Sequence, residues 1–542
     1  MEHPSAESSS GTGGRGTPSL ESLTPEQHRI LAYASAIGSE FDFSLLVGAM
    51  GTDEETLAEE VERLVHLGVL VERAGGERFA FAEEEFRARI YRSLTESRLR
   101  VLHRKIGEVL ERSNPDPSPA VLTELGRHYF LGKIPAKSYE YNRRAATSAR
   151  LAGEPEVAVH HLERVLLDLA SLPGDRLNEQ VEVAETLGNL ELLLGEYRAA
   201  DAHLSEALDR LGSGSPGTRA RLLLARADVA RESLDFERST TYATEARRLF
   251  EEVGDRLGQA GCHRLFARVA FRRGAYRDSL DECMHAFFLA EEPENSWFLG
   301  CLSIDFGNAL SELGPEVRDV AVTWYGRAVE RLLPSGDTSE LSRAYQNLGV
   351  DVGETRPQDG IEILEKAIQA SERSHDMRGA ARARVAIAEL RLAVGQIEEA
   401  ERDNEQVSHL LEHVHDGLGT AWVEVNRGLI AERRGLWEEA MHAYKRTVEM
   451  CRRFELPGDE AEAAFYLARV LYKIRDMEGA RQAYALSSDL GLLSLRPQLT
   501  DPFLDLGRQI GVPPTKTPVE GPPAPSDRTG GATNEDYKVP TG

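Results

Sequence analysis

The sequence predicts an all-α fold: about nine helix pairs in a row, behind a small module of four helices and a β-hairpin. Three observations carry this. A small residue returns about every 40 positions from Ala158 to Ala480. Apolar residues between those positions recur at helical spacing, as in Val181, Ala184 and Leu187. Strand-like runs occur only before residue 82, on either side of Ala74-Gly75-Gly76.

The chain has 542 residues, 28% of them charged, and a formal net charge of −26. Such a field repels nucleic acid and anionic membrane over most of the surface, so an anion site must be a local basic patch. The four cysteines (Cys262, Cys283, Cys301 and Cys451) form no C-x-x-C pair, and a chain this long buries a core without staples. Reduced thiols in a cytoplasmic protein are expected. No apolar run marks the first 20 residues as a signal peptide, and no stretch reaches the length of a membrane helix.

Residues 1–22 and 511–542 are rich in Gly, Ser, Pro and Thr and are expected to be disordered tails. The first contains GTGGRGT (11–17), which lacks the preceding strand and the lysine of a phosphate-binding loop. Residues 23–112 form the first module. Thr24-Pro25 opens a helix whose apolar face holds Ile30, Leu31 and Ala34. Phe41, Phe43, Leu45 and Leu46 predict a second helix. Thr52, with Glu55 three residues on, predicts a capping box for a third, in which Leu57, Val61, Leu64 and Val65 make one buried stripe. Gly68 stops it, the runs 69–71 and 78–81 make the hairpin, and one long helix is expected from about Glu83 to Arg112.

This helix-then-hairpin order resembles a winged helix, but its third helix is wrong for DNA. From Asp53 to Leu67 it has six acids against the single Arg63, and the glutamates lie off the apolar stripe. Phosphates facing Glu55, Glu59 and Glu62 would add repulsion where DNA binders gain counterion release. The next helix carries Arg87, Arg89, Arg92, Arg98, Arg100, Arg104 and Lys105. The charges suit either an ion-pair belt between the two helices or a docking face for protein, with Glu55, Glu59, Glu62, Arg98 and Arg104 as its candidates.

Residues 113–510 are the repeats. The recurring small residues are Ala158, Ala200, Ser239, Ser279, Ala321, Gly360, Ala400, Ala440 and Ala480, at intervals of 39 to 42. Seven residues after each stands another compact or β-branched residue, from Val165 to Ser487. A turn of the type Gly-x-aromatic often precedes the small residue, as in GEY (195–197), GAY (274–276) and GLW (435–437). Leu187-Gly188-Asn189, Phe306-Gly307-Asn308 and Leu348-Gly349 add a Leu-Gly step in first helices; Ala200 with Leu204, Ala321 with Tyr325 and Ala440 with Tyr444 mark second helices. The array resembles the tetratricopeptide repeat, with a period of about 40 in place of the usual 34. That resemblance implies a right-handed α-solenoid. The unit at Ser239 lacks the turn glycine (LDF, 234–236), and the unit at Gly360 lacks the turn aromatic. The order of winged helix and long repeats is similar to the carboxy-terminal arm of signal-transduction NTPases of the STAND class, maltose-activator-type regulators included. The NTPase residues are absent from this sequence, so the switch of that class is not implied.

No chemistry-bearing constellation emerges. His409 and His413 stand four apart without the Glu and third ligand of a zinc site. No enzyme activity, cofactor or metal is expected. The expected function is a non-catalytic adaptor or regulator that binds a protein or peptide in the concave groove that the resemblance implies is lined by first helices. Arg264, Arg268 and Arg272, at four-residue steps, suit an acidic or phosphorylated segment, or else pair with glutamates such as Glu232. Asn189, Asp228, Asn308 and Arg469 fall at matching groove positions. Two other readings stand beside this one: a transcription regulator using the winged helix on DNA, and a partner subunit for a separate NTPase.

Overall fold

The computed structural model describes residues 22–73, 77–212, 214–290, 295–374, 376–411, 417–454, 456–495 and 499–512. Residues 1–21 and 513–542 of the two tails, the hairpin tip 74–76, and His413 lie outside the described residues. Among the described residues the fold is all-α apart from one small sheet near the start. Backbone contacts divide the chain into two units at Gly214/Ser215.

The first unit begins with α1 (Pro25–Ile37), β1 (Glu40–Asp42), α2 (Phe43–Met50), α3 (Glu54–His66), β2 (Leu70–Arg73), β3 (Arg78–Phe81), α4 (Glu84–Ser93) and α5 (Glu96–Ser113). Thr24 caps α1 as its sequence predicts, in a reciprocal box with Gln27. The sheet is antiparallel in the order β1-β3-β2, with Phe41 opposite Phe79 and Leu70 opposite Phe81. One apolar core runs from Leu23 to Val109.

Three local expectations are corrected here. Phe41 belongs to a strand, not to the second helix: Glu40 and Asp42 face water while Phe41 is buried and stacks on Phe79 with ring centroids 6.2 Å apart. The cap of α3 is Asp53, not Thr52. Its carboxylate accepts from the Thr56 amide at 3.0 Å, and a negative group at a helix start gains from the helix dipole. The long helix is two. Leu94 is extended, and the Thr95 hydroxyl accepts from the Arg98 amide, so the second segment starts with its own cap. Within this module Arg63 pairs with Glu59, Arg87 with Glu84 and Arg100 with Glu96, each along a single helix, while Glu111 of α5 pairs with Lys137 beyond the module.

Next come α6 (Pro119–Leu131), α7 (Pro135–Leu151), α8 (Pro155–Leu169), α9 (Leu177–Leu194) and α10 (Tyr197–Leu211). Where α5 meets α6, buried His103 and His128 contact each other through their Nδ1 atoms at 2.9 Å, and His103 reaches the Tyr91 hydroxyl. Burial, then the neighbouring His128, pushes the His103 imidazole down to about 3.

The second unit contains α11 (Pro216–Glu232), α12 (Phe236–Val253), α13 (Arg256–Arg272), α14 (Tyr276–Leu289), α15 (Ser296–Ser311), α16 (Arg318–Leu332), α17 (Thr338–Thr355), α18 (Pro357–Arg373), α19 (Met377–Ala393), α20 (Ile397–Leu411), α21 (Gly417–Arg434), α22 (Trp437–Arg453), α23 (Pro457–Lys473), α24 (Met477–Asp489), α25 (Leu492–Leu495) and α26 (Thr500–Ile510). Nine pairs, α7–α8 to α23–α24, follow one register. The recurring small residue is the fourth residue of the second helix in every pair, and all nine are buried. The compact residues seven further on are buried too, which lets the first helix approach closely.

Two further devices repeat. The glycines of the Leu-Gly steps receive a side chain from the second helix. A Cβ would stand 2.7 Å from Leu204 at Gly188, 2.6 Å from Tyr325 at Gly307 and 2.7 Å from Leu364 at Gly349. The turn residue five positions before the small residue is left-handed in seven pairs: Gly153, Gly195, Leu234, Gly274, Gly395, Gly435 and Arg475. Leu234 therefore takes the glycine conformation without being glycine, at φ 64°.

The four cysteines are reduced and buried. No helix among the described residues is long and apolar enough to cross a membrane.

Candidate partner-binding face

In the second unit the first helices of neighbouring pairs touch one another from α11 to α21. They therefore present one shared face. Side chains bridge it from helix to helix, mostly between residues 36 to 41 apart in sequence, close to one repeat. Arg268 on α13 reaches back to Asp228 on α11 at 3.3 Å and to Glu232 at 3.5 Å. Arg264, on the same helix, reaches forward to Asp305 on α15 at 2.6 Å, and Arg343 on α17 binds the other oxygen of Asp305 at 3.1 Å. Asn347 donates to Asn308 at 2.7 Å, and Ser311 donates to Asp351 at 2.9 Å. Further along, Arg469 on α23 pairs with Glu432 on α21 at 2.6 Å.

The electrostatics follow from this wiring. Burial works to raise the Asp305 carboxyl, but Arg264 and Arg343 outweigh it and hold it below the usual carboxylate range. Asp228 is held low in the same way, with Arg268 and Arg231 outweighing its burial. Asp351 behaves oppositely. It is 6% exposed, and burial pushes its carboxyl up to about 6 against the smaller effects of Ser311 and Arg318.

The residues expected from sequence are placed as follows. Asn189, Asp228, Arg268 and Arg469 occupy one register, eleven residues ahead of the small residue of their pair. Asn189 is exposed on α9 of the first unit. Asn308 lies on the shared face of the second unit, with its side-chain oxygen already accepting from Tyr325 at 2.9 Å as well as from Asn347. In the arginine row, Arg264 and Arg268 are largely buried and ion-paired, whereas Arg272 is exposed. In the first module Glu55, Glu59, Glu62 and Arg98 are exposed. Arg104 is turned inward and donates to the Gly132 carbonyl at the end of α6 at 2.6 Å. Sequence reading missed Asp305, Arg343, Asn347 and Asp351. Writing the first helices in register, one repeat per line, sets their complementary polar groups nearly above one another.

The first unit holds a separate cleft of about 420 Å³ between α8, α9 and α10, lined by Leu166, Val181, Ala184, His203 and Arg210. There Glu191 holds His203 at 2.9 Å and raises its imidazole, against the opposing effect of burial.

No family model matches the chain, and no curated protein matches it. Among solved structures it is similar to a STAND protein with a tetratricopeptide repeat sensor from Pyrococcus horikoshii, at 12% identity and TM-score 0.42 over 85% of this chain; the match spans 66% of that protein's length. It is also similar to a Rap protein complexed with Competence and Sporulation Factor, at 13% identity and TM-score 0.48 over 67% of this chain and 99% of that one. Yeast Tom70 is a third, at 13% identity and TM-score 0.36 over 75% of this chain and 92% of that one.

Proposed function

We propose that this chain is a non-catalytic scaffold that binds a protein or peptide partner on the first-helix face of its repeats, in a signalling or regulatory setting. The observation that carries this is the polar wiring between successive first helices. It holds a row of hydrogen-bonding groups in fixed places before any partner arrives, which lowers the ordering cost of binding. An extended segment can then meet one repeat after another. The signalling setting rests on the module order, a winged-helix-like domain at 23–112 ahead of repeats at 113–510.

An acidic or phosphorylated partner is the demanding version of this reading. Arg264 and Arg268 already hold Asp305 and Asp228. A partner's anion gains little by exchanging with them, so recognition of an acidic segment centres on exposed Arg272. The glutamate face of α3 is a protein-docking surface in this reading, and DNA is not its ligand.

The test is site-specific crosslinking. A photoreactive residue at position 272, on the first-helix side, is compared with one at exposed Thr241 on α12. Partner adducts at 272 and not at 241 support the assignment; adducts at 241 alone overturn it. A shift of duplex DNA by the purified chain at about 150 mM salt would overturn the assignment of α3.

A further inference from the structure

Three side chains at the α13–α14 pair converge without serving the polar wiring of the first-helix face. His263 projects from the middle of α13. Glu282 and His285 stand three apart on α14, so they share one side of that helix. The turn at Gly274 folds α14 back along α13, and the buried Leu280, Cys283 and Ala286 on α14 fix its position. One ring nitrogen from each imidazole and one carboxylate oxygen then lie within 4.8 Å of one another. His263 Nδ1 meets Glu282 Oε2 at 2.7 Å, and the two imidazole centroids are 5.3 Å apart. His263 is largely buried, with Phe266 standing edge-on to it at 6.1 Å, while His285 is exposed.

A simple hydrogen bond between His263 and Glu282 uses one nitrogen and one oxygen. It gives no account of the second imidazole turned to the same point. We propose that His263, Glu282 and His285 form a binding site for a divalent transition metal of the zinc class, joining α13 to α14 and leaving a further coordination position open to solvent.

The dimensions suit the ion. Zinc bonds to imidazole nitrogen and carboxylate oxygen at about 2.0–2.2 Å, which sets tetrahedral ligand atoms about 3.3–3.5 Å apart. The closest pair must therefore open by under about 1 Å, and no pair need close by more than about 1.5 Å, both within reach of side-chain rotation. The metal takes the place of the proton that His263 and Glu282 share. Two imidazoles and one carboxylate favour zinc, copper or nickel over magnesium and calcium, which prefer oxygen ligands. The net charge of −26 draws cations toward the chain, and exposed His285 leaves an entry path. Three protein ligands leave the fourth position for water or for a donor from a bound partner.

The experiment uses the full chain, stripped with chelator and titrated with Zn²⁺ by calorimetry and with Co²⁺ by visible absorption. The expected result is one site, with the intense d–d bands of low-symmetry cobalt. The variants are Glu282→Gln, which keeps shape, and His285→Asn, which changes an exposed group; circular dichroism checks that both fold. Each should weaken metal binding by about tenfold or more. His160→Asn, at an exposed histidine of the first unit, should bind as the parent does. Failure of the parent chain to bind either ion, or unchanged affinity in both Glu282→Gln and His285→Asn, overturns the proposal.

Discussion

Replacing Asp351 with Asn should abolish a pH-dependent loss of stability in the second unit. Asp351 Oδ1 accepts from the Ser311 hydroxyl, while Oδ2 is buried with no hydrogen-bond partner among the described residues. Burial raises the carboxyl from 3.8 to about 6, so the fold prefers the protonated form. The stability linked to that proton is complete below about pH 3.8, falls as pH rises toward 6, and stays lost above. The interval is worth about 3 kcal/mol, at about 1.4 kcal/mol for each pH unit. At 6% exposure, solvent screening removes little of it. Asparagine does not titrate, so any change in hydrogen bonding that it brings is a constant offset. The assay is urea unfolding followed by tryptophan fluorescence between pH 4 and 8. All four tryptophans (Trp297, Trp324, Trp422 and Trp437) lie in the second unit, so the signal reports it alone. The stability of Asp351→Asn relative to the parent should rise by about 2.4 kcal/mol from pH 4 to pH 7, because part of the interval is already lost at pH 4. A difference that is flat across that range would refute the argument.

Two further variants test the packing of the repeats by the same fluorescence assay. Leu234→Gly should stabilise by about 0.5–1 kcal/mol, because relief of the left-handed strain outweighs the added freedom of the unfolded chain. Leu234 is exposed, so little packing is lost, and a destabilised variant would count against strain at that turn. Gly307→Ala should destabilise by about 1–3 kcal/mol, because its methyl group would press on the buried ring of Tyr325, whose hydroxyl is tied to Asn308. An unchanged unfolding midpoint would show that the two helices have room to spare.

The sequence alone determined the repeat. Small residues at nine equivalent sites are a local requirement of close helix packing, and such a requirement is written at each site whatever the neighbours do. Left-handed turns were legible for the same reason wherever glycine supplied them. Leu234 and Arg475 were not, since the hydrogen-bonded turn between two packed helices imposes a conformation that their own chemistry disfavours. Element ends at Phe41, Asp53 and Leu94 differ from the sequence expectation: Thr52, Asp53 and Thr95 are all residue types that can cap a helix, and the burial of Phe41 against Phe79 is settled by tertiary packing. The face itself was only half legible. Arginine spacing marked Arg264, Arg268 and Arg272 as neighbours, but Asp305 and Asp228 had claimed two of the three from adjacent repeats. The meeting of His263 with Glu282 and His285 belongs wholly to the tertiary structure. Helical spacing aligns Glu282 with His285, whereas only the fold of α14 against α13 brings His263 to them.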